Sequence, residues 1–389
     1  MSEPAESSAQ SAAQSAAQSA AQSPALFKEP YRVLFPVAMA VGVVLIGTWG
    51  AQLAAGGGLL SPATHGALML WGVYGTAVLG FLLTAYPKQN GAPQPPGPVV
   101  LALAGVQVLA VVLWLVGGTA AVVGGGLATL TWAGVTAWAA TVAVPSIRRG
   151  WDATTATVPF ILATATVALG LAVSGVQPVL APALAIHGVF VPLALTLLDR
   201  ILPFFSRKKV PGYDGLRRVG FTGNLLVLGI LRALVEGRIS AVALDALLIL
   251  LIARQWQGWR PLQGLRPPLL GVLHLGIAWL LLGYVVDAAA PFLDPTMALY
   301  ARHLWTVGGL GTLVLSIAIR VTRGHGGLPL VLGTDGAIMV GLVQLAVLLR
   351  AVLPLLGVTH PLLWPAAAGC LGLAMLLYLL RLAPAVLRG

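Results

Sequence analysis

The sequence predicts an all-α, polytopic membrane protein of about twelve transmembrane helices with both termini in the cytoplasm. Three observations carry this. The 389-residue chain is 58% hydrophobic and only 8% charged, against about 25% charged in a typical soluble domain, so it lacks the polar groups to coat a water-facing surface. Twelve apolar runs follow one another, roughly 31–54, 62–86, 98–117, 119–144, 154–174, 177–198, 217–235, 238–256, 267–287, 296–320, 334–355 and 361–384, each near the ~20 residues that span a bilayer. Of the 22 Lys and Arg residues, 18 fall around the start of the first run, around the gap after an even-numbered one, or near the C-terminal end. By the positive-inside rule those gaps face the cytoplasm.

Taken in order, the runs justify themselves. Lys28 and Arg32 precede the first, and the second ends in the polar stretch FLLTAYPKQNG. The third and fourth are divided only by a Gly-Gly turn, and Arg148 and Arg149 close the fourth. The sixth ends in DRILPFFSRKK, and Arg217 and Arg218 open the seventh. Arg254, Arg260 and Arg266 follow the eighth, and Arg320 and Arg323 end the tenth. Helix is the only state open to these runs, because lipid offers no partner to backbone N–H and C=O groups and no short alternating segments of the barrel type are present. The net charge of +11 is accounted for by topology and attraction to anionic lipid heads, which leaves nucleic acid without support as a partner. The lone cysteine, Cys370, rules out an intramolecular disulfide or thiolate cluster.

Residues 1–26 carry the repeat SAQSAAQSAAQSAAQS and read as a disordered, low-complexity leader; 27–389 read as one membrane domain. A coarser repeat follows. His65, His187 and His303 fall in the second, sixth and tenth runs, 122 and 116 residues apart, which suggests three four-helix units.

Polar groups inside a membrane are costly and usually face the protein interior, so the six histidines are the main functional clue. Counted along ideal helices, His65, His303 and His187 lie ~5, ~10 and ~15 Å below the outer face. His65 and His303, on different helices at similar depth, suit the axial pair of a b-type haem; interhelical hydrogen bonding is the plainer alternative. His187 and His274 are candidates for a second haem or a copper ion, since imidazole suits both. His325 lies in the cytoplasmic turn after the tenth run and His360 in an outer turn. Arg232, Arg350 and Asp245 fall inside spans. An Arg232–Asp245 pair would offset desolvation, and an arginine could hold a haem propionate. No phosphate-binding loop, HExxH, CxxC or GxSxG is present, so ATPase, protease and hydrolase chemistry have no support.

Three stretches resemble the NnrS family of bacterial membrane proteins. His65-GALMLWG leading into Gly80-FLLTAYP is similar to the family's HAHEMLFGF and GFLLTAVPNWTG. Arg200-ILPFF resembles R-x-IPFF. His303-LWTVGGLGTLVLSIAIRVTRGHGGLPL resembles the family's histidine, TVG and R-V-x-x-GHxGRPL ending, and takes in Arg320 and His325. The LHLGIAW segment around His274 fits LHxGYxW. The resemblance implies a haem- and copper-containing protein of the bacterial inner membrane linked to nitric oxide, with His65, His274, His303 and His325 as ligands or site residues and a quinol or other electron donor. The family's second histidine and glutamate are here Ala67 and Leu68, its asparagine–tryptophan Lys88 and Gln89, and its last arginine Leu328. These losses put copper in more doubt than haem. By analogy, the placements also resemble the helix plan of haem–copper oxidases, whose haem histidines come from helices 2 and 10 and a copper histidine from helix 6; their two helix-7 histidines have no counterpart here. The rival functions are a secondary transporter with a mid-membrane substrate site, which twelve spans with buried Arg and Asp would suit, and a non-catalytic membrane sensor or assembly factor.

Overall fold

The structure, a computed structural model, describes residue 26 and residues 28–388. The leader expected over 1–26 thus lies outside the described residues except for Leu26. Among the described residues there are helices and no strands. The helices are α1 (Tyr31–Ala55), α2 (Pro62–Gln89), α3 (Gly97–Val116), α4 (Gly118–Arg149), α5 (Ala153–Ser174), α6 (Leu180–Lys209), α7 (Phe221–Leu234), α8 (Ala241–Gly258), α9 (Pro268–Ala289), α10 (Met297–His325), α11 (Gly333–Leu355) and α12 (Leu363–Val386). Local chemistry sets several boundaries. Ser61 caps α2 by accepting from the Thr64 N–H at 3.1 Å, with Pro62 at the first helical position. Asp152 caps α5 by accepting from the Thr155 N–H at 3.0 Å. Gly117 and Gly118, both at positive φ, make the tight turn between α3 and α4 that side chains would strain.

Eleven of these helices are long and apolar enough to cross a membrane; α7, at 14 residues, is not. Twelve full-length spans therefore become eleven long helices and one short one. Arg217 and Arg218, which open the seventh apolar run, stand outside the helix. Arg217 donates to Asp199 at 2.9 Å and to the Thr154 hydroxyl at 2.6 Å, and Gly220 at positive φ precedes the first turn. Arg32 near the start donates to the Val386 carbonyl near the end at 2.7 Å, so both described ends lie together at one end of the helices. At 1.5 Å per residue α7 covers about 21 Å, well short of the ~30 Å hydrocarbon core.

Three helices form the centre. In α2, α6 and α10, 78%, 83% and 83% of the most apolar stretch is buried, against 28–61% in the other long helices. They meet pairwise. Trp71 of α2 packs on Phe190 of α6 at 5.1 Å, Tyr74 of α2 donates to the Thr306 carbonyl of α10 at 2.9 Å, and His187 of α6 abuts Trp305 of α10 at 4.6 Å. Around them α4 packs on α5, α8 on α9 and α12 on α1. Packing is continuous across these seams, so the three units suggested by the histidine spacing do not stand apart as separate bodies.

Most basic residues cluster at the end where the chain's described ends meet. Glu29 is the hub: it takes hydrogen bonds from His325 at 2.8 Å and from Lys88. Burial pushes its carboxyl up, but those bonds and their charges outweigh burial and hold it at about 2. Next to it, the Gln89 and Asn90 carbonyls accept from Arg200 and Arg149 at 2.6 and 2.7 Å, and the Asn90 side chain accepts from Thr155 and Ser146 at 2.6 and 3.0 Å. The turn after α2 thereby ties together α4, α5 and α6.

Candidate functional site

The inner helices share a feature beyond burial. Each is α-helical at both ends with a π-helical segment between: Leu68–Gly75 in α2, Leu184–Phe190 in α6 and Leu304–Gly311 in α10. A fourth π segment, Leu348–Val352, lies in α11. The π turn is rare and concentrates at functional sites. Here the four segments contain or closely adjoin His65, His187, His303 and Arg350.

His65, His303 and Arg350 form the first group, at the end opposite the basic one. The turns of α10 that end at His303 pack against the segment of α11 that carries Arg350. The His65 ring stacks on Trp49 of α1 at 4.1 Å and 11°, and among the described residues neither of its nitrogens has a hydrogen bond. His303 donates from Nδ1 to the Leu299 carbonyl at 2.8 Å. That bond fixes the tautomer and leaves the Nε2 lone pair free, as in a histidine prepared for a metal. Arg350 stacks on Trp364 of α12 at 4.2 Å, and its Nη1 is buried without a partner among the described residues.

The second group surrounds His187 on the other side of α10. His187 is 1% exposed. Its Nδ1 meets the Tyr284 hydroxyl of α9 at 3.2 Å, its Nε2 stands 3.9 Å from Glu236 Oε2, and Trp305 packs edge-on. Beside it Arg232 donates to Asp245 at 2.5 Å, to Glu236 at 2.7 Å and to Asp287. The expected Arg232–Asp245 pair is thus present inside a larger cluster. Glu236, Asp287, Tyr284 and Trp305 escape the sequence reading. Of these, only Glu236, one helical turn past Arg232, has a local spacing that could have revealed it.

His274 does not join this group. Its Nδ1 accepts from the Trp256 indole at 2.9 Å, and its Nε2 is buried without a partner among the described residues. It lies ten residues before Tyr284 on α9, about 15 Å along the helix, so His187 and His274 do not converge on one metal. Among the described residues no three His, Cys, Asp or Glu side chains are grouped to hold an ion. His325 faces Glu29 at the basic end. Arg320 is buried with its guanidinium on the Phe205 ring at 3.6 Å, also away from both groups.

The sequence profile of the NnrS protein family matches residues 25–389, nearly the whole chain. The chain belongs to the NnrS family. No curated protein matches it. Family membership and the eleven long apolar helices make it a multi-pass membrane protein. The match covers every helix that carries a candidate residue, and the NnrS-like motifs divide between the two ends: His65 and His303 reach one, while Arg200, His274, Arg320 and His325 lie at or toward the basic one.

Proposed function

We propose that this NnrS-family chain binds a b-type haem through His65 and His303 and serves in the response of a bacterial inner membrane to nitric oxide, with the basic end in the cytoplasm. The observation that carries the reading is that two imidazoles with free nitrogens and a guanidinium whose Nη1 is buried without a partner among the described residues stand at the same end of the helices, opposite the basic one. The residues suit the ligand. His303 is held with Nε2 free, His65 has no competing hydrogen bond, and the unpartnered Arg350 Nη1 matches a propionate carboxylate, which arginine binds well. Trp49 and Trp364 supply apolar surface beside them. A haem held by two histidines supplies a one-electron redox centre. The chain's own part is to orient the imidazoles, neutralise a propionate and keep water out. Nitric oxide as the small-molecule partner, and a quinol or other reductant as electron donor, rest on the family resemblance. Copper has less support, since the family's second histidine and its glutamate are replaced here by Ala67 and Leu68.

The test is a reduced-minus-oxidised absorption spectrum of the purified protein, with pyridine haemochrome and metal analysis of the same sample. A sharp α-band that is lost or altered in His65→Ala and His303→Ala is the expected result. Unchanged haem spectra in both variants would overturn the ligand assignment. A colourless, metal-free protein from haem-replete cells would favour secondary transport, for which the Arg232 cluster offers a charged interior site.

A further inference from the structure

The Arg232 cluster holds more negative charge than it can neutralise. It is built by α7 and its exit turn (Arg232, Glu236), α8 (Asp245), α9 (Tyr284, Asp287), α10 (Arg302) and α6 (His187). Arg302 stands 3.8 Å from Glu236 Oε1 and is about half exposed, so it answers Glu236. Arg232, 2% exposed, can answer one aspartate. The other is left without a countercharge in a site where an isolated carboxylate is not stable in its ionised form.

A second observation points the same way. Asp245 is 1% exposed, and its Oδ2 is buried with no donor among the described residues. Asp245 Oδ1 and Asp287 Oδ2 accept from Nε and Nη2 of Arg232, neighbouring donors on one edge of the guanidinium, which brings the two carboxyls side by side. Two carboxylate groups facing each other offer only acceptors, and a single proton between them supplies the missing donor. A metal ion fits less well. Arg232 already occupies the space between the three carboxylates and takes one oxygen from each, and no three ligating side chains gather around a common point among the described residues.

We infer that Asp245 and Asp287 share one proton, making this cluster a proton-binding site that exchanges with the aqueous phase through Glu236. Glu236 is the most exposed of the three acids, with 19% of its side chain accessible against 10% for Asp287 and 1% for Asp245. The bookkeeping is simple: one proton enters from water, no bond other than O–H forms, and the charge of the cluster is balanced. The shortness of α7 assists, because it brings this end of the bundle closer to water. None of this depends on haem.

The experiment is infrared spectroscopy of the full-length protein in lipid nanodiscs, reading the protonated-carboxyl C=O stretch and its shift in D2O. At neutral pH the wild type shows the band. Asp245→Asn and Asp287→Asn each remove it, because either leaves a single carboxylate that Arg232 neutralises. Asp199→Asn leaves it in place, since that buried aspartate already accepts from Arg217, Gln255 and Trp259 at 2.9, 3.1 and 3.2 Å. Glu236→Gln keeps the band but slows its exchange into D2O. A wild type without the band at neutral pH overturns the proposal, whatever the variants do. So does a band that survives in both aspartate variants or disappears in Asp199→Asn. An exchange rate unchanged in Glu236→Gln removes Glu236 as the entry point.

Discussion

Replacing Arg232 with methionine keeps the apolar stem and removes the only buried positive charge in its cluster. Three hydrogen bonds to carboxylates are lost, each worth about 1.5–3 kcal/mol when a charged group is involved. Their sum overstates the loss, because stranded carboxylates can take up protons instead of remaining ionised. Removing one partner from a buried ion pair costs about 3–5 kcal/mol in measured cases, and that is the destabilisation expected here. Eleven tryptophans, with Trp305 beside the cluster, make intrinsic fluorescence a suitable probe of unfolding by denaturant in mild detergent. A triple variant, Arg232→Met with Asp245→Leu and Asp287→Leu, should recover most of the loss, since apolar replacement of a whole buried cluster is often neutral or stabilising. If Arg232→Met lies within about 1 kcal/mol of wild type, a range typical of exposed pairs, the cluster is solvated and the charge count made for it does not hold.

Glu29→Gln should weaken the tie between α1, α2 and α10. The Glu29 carboxyl is held at about 2, below its usual 4.5, which at full strength is worth about 3 kcal/mol and after solvent screening about 1–2 kcal/mol. Because the folded value is depressed, the stability difference from wild type should be constant above about pH 4.5 and fade as pH falls toward about 2; unfolding curves across that window check it. Gly309→Ala should cost about 1–3 kcal/mol through overpacking, because a Cβ there runs into the Leu280 side chain, whereas Gly341→Ala meets nothing within 4 Å and should be neutral in the same unfolding assay. Arg350→Gln should leave haem bound but lower its midpoint potential, since a positive charge near a propionate favours the reduced state; redox titration reads the shift, and an unchanged potential would remove Arg350 from the haem site.

The sequence discloses what depends on composition and spacing. Eleven apolar runs become long helices because lipid leaves them no other state, and the histidines at 65, 187 and 303 mark the three inner ones. The short α7 is not legible in this way. Its apolar run is long enough on paper, but Arg217 is drawn to Asp199 and Thr154, contacts 18 and 63 residues away. Asp287 and Tyr284 are hidden for the same reason, since nothing near them in sequence says that α7 and α6 will pack against that part of α9. The π segments have no signature either: LMLWGVYG, LAIHGVF and LWTVGGLG read as ordinary apolar helix. Packing of the three inner helices against one another, which no local window contains, accompanies them.

The two groups of candidate residues are adjoining products of one turn of α10. On an ideal helix His303 and Trp305 point about 200° apart, and the structure uses both sides of α10: the turns ending at His303 pack on the α11 segment of Arg350, while Trp305 packs on His187 and Tyr284. Arg302, the residue before His303, stands 3.8 Å from Glu236. A change of charge at either group therefore acts on the other through protein, where screening is weaker than in water. The π segment beginning at Leu304 lies at this junction, and an inserted residue there resets the phase between the upper turn and the rest of α10. The proposed haem pair and the proposed proton site are thus positioned by the same few residues, which is the arrangement required if an electron gained on one side is to be balanced by a proton held on the other.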